Sequence, residues 1–292
     1  MKIDRSRVLL AGVASVPILV GTIITAALLD SPLYANAVSS SPQDYTVMEL
    51  TIQAVLSIGL GASAVFLLSY AMERRGPGAR KLMVAMVVSP ILTLIFFVLG
   101  QSLLLILFKG ATNTIWPSLL SIGSLAVFML SIVFIVMDAI PPLMKNLFVG
   151  FYGSIFGTFL GIAFFTSSMI VLVFSLILED WFLTRFSPAG KAAEELMGDI
   201  GSDPFDYTRI QSKGFAVGAG DFVVFSLISA HALLYFPIHV FFMTILLILV
   251  GITLNATIFV EEGKPLPGIP LPAFLALFPW LVHIGAMSLL LG

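Results

Sequence analysis

The chain has 292 residues, of which 59% are hydrophobic and only 10% charged. With a mean hydropathy of +1.09, it has too little polar surface to cover a water-soluble core, so the bilayer must be the solvent for most of its length. A net charge of −2 offers no basic field for nucleic acid, and the absence of cysteine excludes disulfides, thiolate metal sites and cysteine nucleophiles.

A transmembrane helix needs about 20 mostly apolar residues. Such runs occur at 8–29, 49–72, 82–108, 116–138, 214–236, 238–260 and 269–291. The stretch 146–183 is too long for one helix and divides into two, near 146–163 and 166–183, with a turn marked by Gly161 and Thr166-Ser167-Ser168. The expectation is an all-α, polytopic bundle of nine transmembrane helices. We divide it into 1–145, carrying the first four helices as scaffold, and 146–292, carrying the last five with a cytoplasmic loop at 184–213. The breaks carry helix-stopping residues: Arg74-Arg75-Gly76-Pro77-Gly78 ends the second span, Trp116-Pro117 opens the fourth, Pro141-Pro142 follows it, and Pro237 separates the seventh from the eighth.

Near the N-terminus, Ala35-Asn36-Ala37 resembles a signal cleavage site. The apolar run before it is longer than a signal core, and we read it as a signal anchor. With the N-terminus in the cytoplasm, 13 of the 14 Lys and Arg residues fall on the cytoplasmic side and only Lys109 outside. The C-terminus then lies outside. Loop 30–48 lacks Lys and Arg, and segment 189–198 has the pattern of a short amphipathic helix. Asn255-Ala256-Thr257 matches a glycosylation pattern but lies in a span, so we read it as chance. Gly153, Gly157 and Gly161 form a smooth face at four-residue spacing, the signature of close helix packing. His231, His239 and His283 stand in no metal-ligand spacing.

Ionisable groups inside a span are costly, by about 2.5–3.5 kcal/mol on insertion scales, and here they are Asp138, Glu179, Asp180 and Asp221. Asp138 reads as a helix-end residue marking a boundary. Asp221, in Gly218-Ala219-Gly220-Asp221, lies about eight residues into the seventh span, on the order of 10 Å from its cytoplasmic end. Glu179 and Asp180 end the antiparallel sixth span at similar depth. Two facing carboxylates in a poorly hydrated site cannot easily both ionise and tend to share a proton. One can then draw a proton from water while the other donates to a carbonyl oxygen, which is peptide hydrolysis. The same pair could relay protons in a transporter.

Before the ninth span, Gly263-Lys264-Pro265-Leu266-Pro267-Gly268-Ile269-Pro270-Leu271-Pro272 forbids regular helix and leaves carbonyls unpaired. Taken alone it reads equally as a cap on the ninth helix or as extended backbone beside the aspartates.

These elements, in this order and topology, resemble the presenilin and signal peptide peptidase family, in its archaeal-type form. Gly218-Ala219-Gly220-Asp221 matches that family's Gly-x-Gly-Asp motif in full, and Leu266-Pro267-Gly268-Ile269-Pro270 looks like its Leu-Pro-Ala-Leu-Pro motif. Glu179-Asp180 stands where the family has Tyr-Asp. The resemblance covers roughly residues 130–290. It implies an intramembrane aspartyl protease of a prokaryotic cell membrane that cleaves transmembrane segments of other proteins without metal or organic cofactor. Asp180 and Asp221 would be its catalytic pair, supported by Gly218, Gly220, Pro267, Gly268, Ile269 and Pro270. A preflagellin or prepilin peptidase also carries Gly-x-Gly-Asp but has fewer spans and lacks the proline motif. A proton-coupled transporter would use the same acids, though no internal repeat of the kind common in transporters is evident.

Overall fold

The computed structural model describes residues 5–28, 46–108, 115–186, 204–212, 215–260 and 266–291. The expected amphipathic segment 189–198, most of loop 30–48 and residues 263–265 lie outside the described residues. The described chain is all-α apart from one small hairpin. Its helices are α1 (Arg5–Leu28), α2 (Val47–Phe108), α3 (Trp116–Val136), α4 (Pro142–Ala163), α5 (Thr166–Phe186), α6 (Ala219–Tyr235), α7 (Ile238–Leu254) and α8 (Pro270–Leu291). Strands β1 (Arg209–Ser212) and β2 (Phe215–Gly218) form the antiparallel hairpin, with Arg209 opposite Gly218 and Ser212 opposite Phe215.

Among the described residues, seven helices are long and apolar enough to cross a membrane. Two shorter apolar helical stretches, Val47–Gly61 and Ala219–Tyr235, stand where the second and seventh spans are expected. The surface agrees with lipid as solvent: Leu19, Ile23, Leu246, Phe278 and Leu289 point outward, while Ser154, Thr158, Ser226, Ser229 and Thr244 are buried. These five hydroxyls each donate within their own helix, as in Ser154 to the Gly150 carbonyl at 2.6 Å and Thr158 to the Ser154 carbonyl at 2.8 Å. Helices packing in lipid gain little from burying more apolar surface, so small and hydroxyl-bearing residues take the interfaces.

Three of the expected proline breaks are present. Pro117 opens α3, Pro142 opens α4 after an extended Pro141, and an extended Pro237 caps α7. The division of 146–183 falls at Phe164, whose extended backbone ends α4 before α5 begins at Thr166. Gly161 is not part of that turn but lies inside α4.

Two expectations need correction. The helix does not break at Arg74–Gly78: residues 47–108 form one helical segment of 62 residues. At 1.5 Å per residue it would reach about 93 Å if straight, against a hydrocarbon core of about 30 Å. Its charged stretch at 74–81 separates two apolar parts. Pro77 removes one donor from the i→i−4 ladder but does not end it. The second correction is at the seventh span, which is helical only from Ala219. Residues 215–218 are strand β2 instead, because Gly218 and Gly220 weaken helix and the preceding segment finds a partner in β1.

Residue pairs set the helix directions. Gln53 exchanges hydrogen bonds with Ser168 and Gly61 meets Glu179, so the first part of α2 runs parallel to α5. Gly153, Gly157 and Gly161 lie against Phe222, Val223 and Leu227 in turn, so α4 runs parallel to α6. Any Cβ on Gly157 or Gly161 would collide with a backbone carbonyl of α6. Thr244 bonds the Trp280 indole at 3.0 Å and Gly251 abuts Pro272, so α7 and α8 are antiparallel. One apolar core joins α1 and α5–α8 around Phe225, Leu227, Ile228, Ile248 and Trp280. A second joins α2, α3 and α4 around Val88, Ile135, Val149 and Tyr152, and takes in Tyr207.

Candidate active site

The Gly-x-Gly-Asp sequence becomes the entry to α6. Gly218 is the N-cap, with φ −70° and ψ 150°, and Asp221 is the third residue of the helix. Asp221 is therefore nearer the helix start than the sequence suggests, because the strand takes the first residues of the expected span. In the first turn the backbone N–H groups lack helical partners. The Asp221 carboxylate lies near this entry: a Cβ placed on Gly218 would stand 3.8 Å from its Oδ2.

Asp180 approaches from the last turns of α5. Its Oδ2 accepts the Ile269 N–H at 3.0 Å. Thr184, one turn on, lies 3.5 Å from Oδ1. The backbone that supplies the Ile269 donor is the proline-rich segment. Pro267 and Gly268 lie before the helix, Pro270 begins α8, and the Ile269 carbonyl accepts the Ala273 N–H at 3.0 Å. The segment is thus both a helix cap and a wall of the site, and the two readings of it hold together.

Gly268 also touches the second acid. A Cβ placed on it would lie 2.8 Å from Asp221 Cγ and 2.9 Å from Oδ2. A Cβ on Gly220 would meet Ile269 Cδ1 at 3.9 Å, an ordinary contact. The Gly268–Ile269 peptide thus touches both Asp180 and Asp221. Both acids are partly buried and Ile269 is buried. Glu179 is not part of this arrangement. Its carboxylate sits against the bare backbone of Gly61 on α2, and neighbouring helix positions point about 100° apart.

Three features were not read from the sequence. Asn255, set aside as a chance pattern, donates from Nδ2 to the Gly268 carbonyl at 3.0 Å. His231 is buried, with Nδ1 2.8 Å from the Gly161 carbonyl, Nε2 3.1 Å from Thr166 Oγ1, and its ring against Tyr235 and Trp280. It ties α4, α5, α6 and α8 together far from the acids.

The third is an ion cluster. Asp138, beyond the end of α3 at φ 53°, pairs with Lys145 at 2.6 Å and accepts the Tyr207 hydroxyl at 3.1 Å. Lys145 is 3% exposed and lies 3.9 Å from Asp206, which in turn faces Arg209 at 3.8 Å. Burial disfavours the Asp138 charge, but the Lys145 ammonium and the Tyr207 hydroxyl hold its carboxyl below the usual carboxylate range. Asp138 does sit at a helix end, and it is also the anchor of the segment leading to β1. Tyr152 fixes the Tyr207 carbonyl at 2.7 Å, and the next carbonyl, Thr208, accepts the Ala219 N–H at 2.8 Å. The only sequence trace of this cluster is Lys145, close after a helix-end acid.

The fold defines a multi-pass membrane protein. Comparison with models of known protein families finds no match, and comparison with curated proteins finds none either.

Proposed function

We propose that this protein is an intramembrane aspartyl protease of the presenilin and signal peptide peptidase type, hydrolysing peptide bonds within or near transmembrane segments of other proteins. Asp180 and Asp221 form its catalytic pair. One observation carries the reading: two carboxylates from different helices converge on the single peptide between Gly268 and Ile269. One carboxylate takes a proton from water as that water attacks the substrate carbonyl, while the other, protonated, donates to the carbonyl oxygen. Collapse of the tetrahedral intermediate returns a proton to the leaving amine.

The proposal includes nine spans with the N-terminus in the cytoplasm and the C-terminus outside, in a prokaryotic cell membrane. Seven long apolar helices, the short ones at Val47–Gly61 and Ala219–Tyr235, and the parallel and antiparallel pairings support that count. So does the bond from Arg7 in α1 to the Thr257 carbonyl after α7 at 2.6 Å, which joins two ends the scheme assigns to the cytoplasm.

The test is to incubate purified protein in detergent or liposomes with a single-span substrate and map the products. Wild type should cleave within or beside the span, and Asp180→Ala and Asp221→Ala should abolish cleavage. Cleavage that survives both changes overturns the assignment. Cleavage of a leader peptide alone points to a preflagellin or prepilin peptidase, and proton flux without proteolysis to a transporter.

A further inference from the structure

The Gly268–Ile269 peptide is held from both sides. Its N–H donates to Asp180 at 3.0 Å, and its C=O accepts from the Asn255 carboxamide at 3.0 Å. Only the NH₂ end of an amide can face a carbonyl oxygen, so the orientation of Asn255 is set by its partner. The α-carbon of the same peptide unit abuts the Asp221 carboxylate. Three side chains thus meet one planar group, which cannot rotate without breaking one bond or pressing on the other acid.

The backbone around Asn255 is built for this reach. Residues Asn255–Phe259 form a π turn at the end of α7, closed by Val260 N–H to the Asn255 carbonyl at 3.0 Å. Such turns are rare and concentrate at functional sites. The Arg7 guanidinium takes the Thr257 carbonyl in this turn. Bare Gly251, one turn before Asn255, lets Pro272 close onto α7 and brings the proline segment within reach of the carboxamide. Asn255 is half-buried and has a defined acceptor in the Gly268 carbonyl.

We infer that Asn255 is a positioning residue of the aspartate pair, fixing the Gly268–Ile269 peptide against Asp180 and Asp221. The inference rests on the proteolytic reading and adds to it a residue outside the three motifs. It predicts that removing the carboxamide slows the chemical step without weakening substrate binding or the fold.

The experiment compares wild type with Asn255→Leu, which keeps the side-chain size without a donor, and Asn255→Gln, which keeps the donor on a longer arm. Three quantities are read: kcat and KM on a single-span substrate, Tm, and amide hydrogen exchange of the peptide containing Ile269. The expected result for Asn255→Leu is a kcat about tenfold lower, KM within twofold, Tm near wild type and faster exchange at Ile269. Asn255→Gln should recover part of kcat. If Asn255→Leu does not fold, Asn255→Ala takes its place. Wild-type kcat and wild-type exchange in the donor-free variant overturn the inference and leave the protease reading intact. A loss of kcat that merely follows a fall in Tm also overturns it. If wild type cleaves nothing, the protease reading fails, and the inference with it.

Discussion

Asp180 accepts the backbone N–H of Ile269 at 3.0 Å, across the gap between the end of α5 and the start of α8. A carboxylate held by backbone donors has its orientation set by the chain rather than by a mobile side chain. Asp221 lies against the bare α-carbon of Gly268 in the same peptide unit, so one stretch of backbone bears on both acids.

The first prediction concerns Gly268. Its added methyl group would fall on the Asp221 carboxylate. That carboxylate is the end of a side chain and can rotate away, so the fold should tolerate the change while the acid moves. Gly268→Ala should lower kcat by about tenfold or more and leave Tm within a few degrees. Kinetics and thermal unfolding on the same preparation check this.

Glu179 provides the second. Its carboxylate lies against Gly61 on α2, away from the Gly268–Ile269 peptide. Glu179→Gln should keep cleavage within about threefold of wild type, whereas Asp180→Asn should abolish it, a loss of at least 10³-fold on the order expected for removal of an acid–base group. Equal losses in the two variants would put Glu179 in the catalytic pair.

Lys145 gives the third. It is buried against Asp138 and Asp206, and removing one partner of such a set leaves uncompensated charge. Lys145→Met should destabilise by about 3 kcal/mol, read by chemical or thermal unfolding. The pH dependence follows from Asp138, whose carboxyl is held below its usual range. A depressed folded-state value means the contribution is full above the unfolded value of about 3.9. It is lost as pH falls through the folded value. Asp138→Asn should thus be less stable than wild type at pH 7, with the difference shrinking below about pH 4.

The fourth tests the glycine face of α4. A Cβ on Gly157 would collide with the Val223 carbonyl, which is backbone and cannot turn aside. Gly157→Val should cost about 1–3 kcal/mol by forcing α4 and α6 apart. Gly12, whose added Cβ would meet nothing, provides the control: Gly12→Ala should change Tm little.

The membrane class, the apolar runs, the glycine face and the three candidate motifs were all legible in the order of residues, because hydropathy, small-residue spacing and proline placement act locally. The fifth and sixth helices could be separated for the same reason: Phe164 and Thr166 carry their turn in the local chain. The continuity of α2 through Pro77 was not legible, since a local breaker can be carried within a long helical segment. Nor was the strand before Asp221, whose partner β1 is supplied by a separate segment.

Sequence by itself determined that acids, glycines and prolines stand at helix ends in an apolar chain. Only the tertiary structure decided which of Glu179 and Asp180 turns toward the Gly268–Ile269 peptide, that Asn255 holds the far side of it, and that Lys145 is buried in an ion cluster. Those outcomes depend on where neighbouring helices present a backbone N–H, a carbonyl or a bare glycine, and such contacts join positions far apart in the chain that no local periodicity relates.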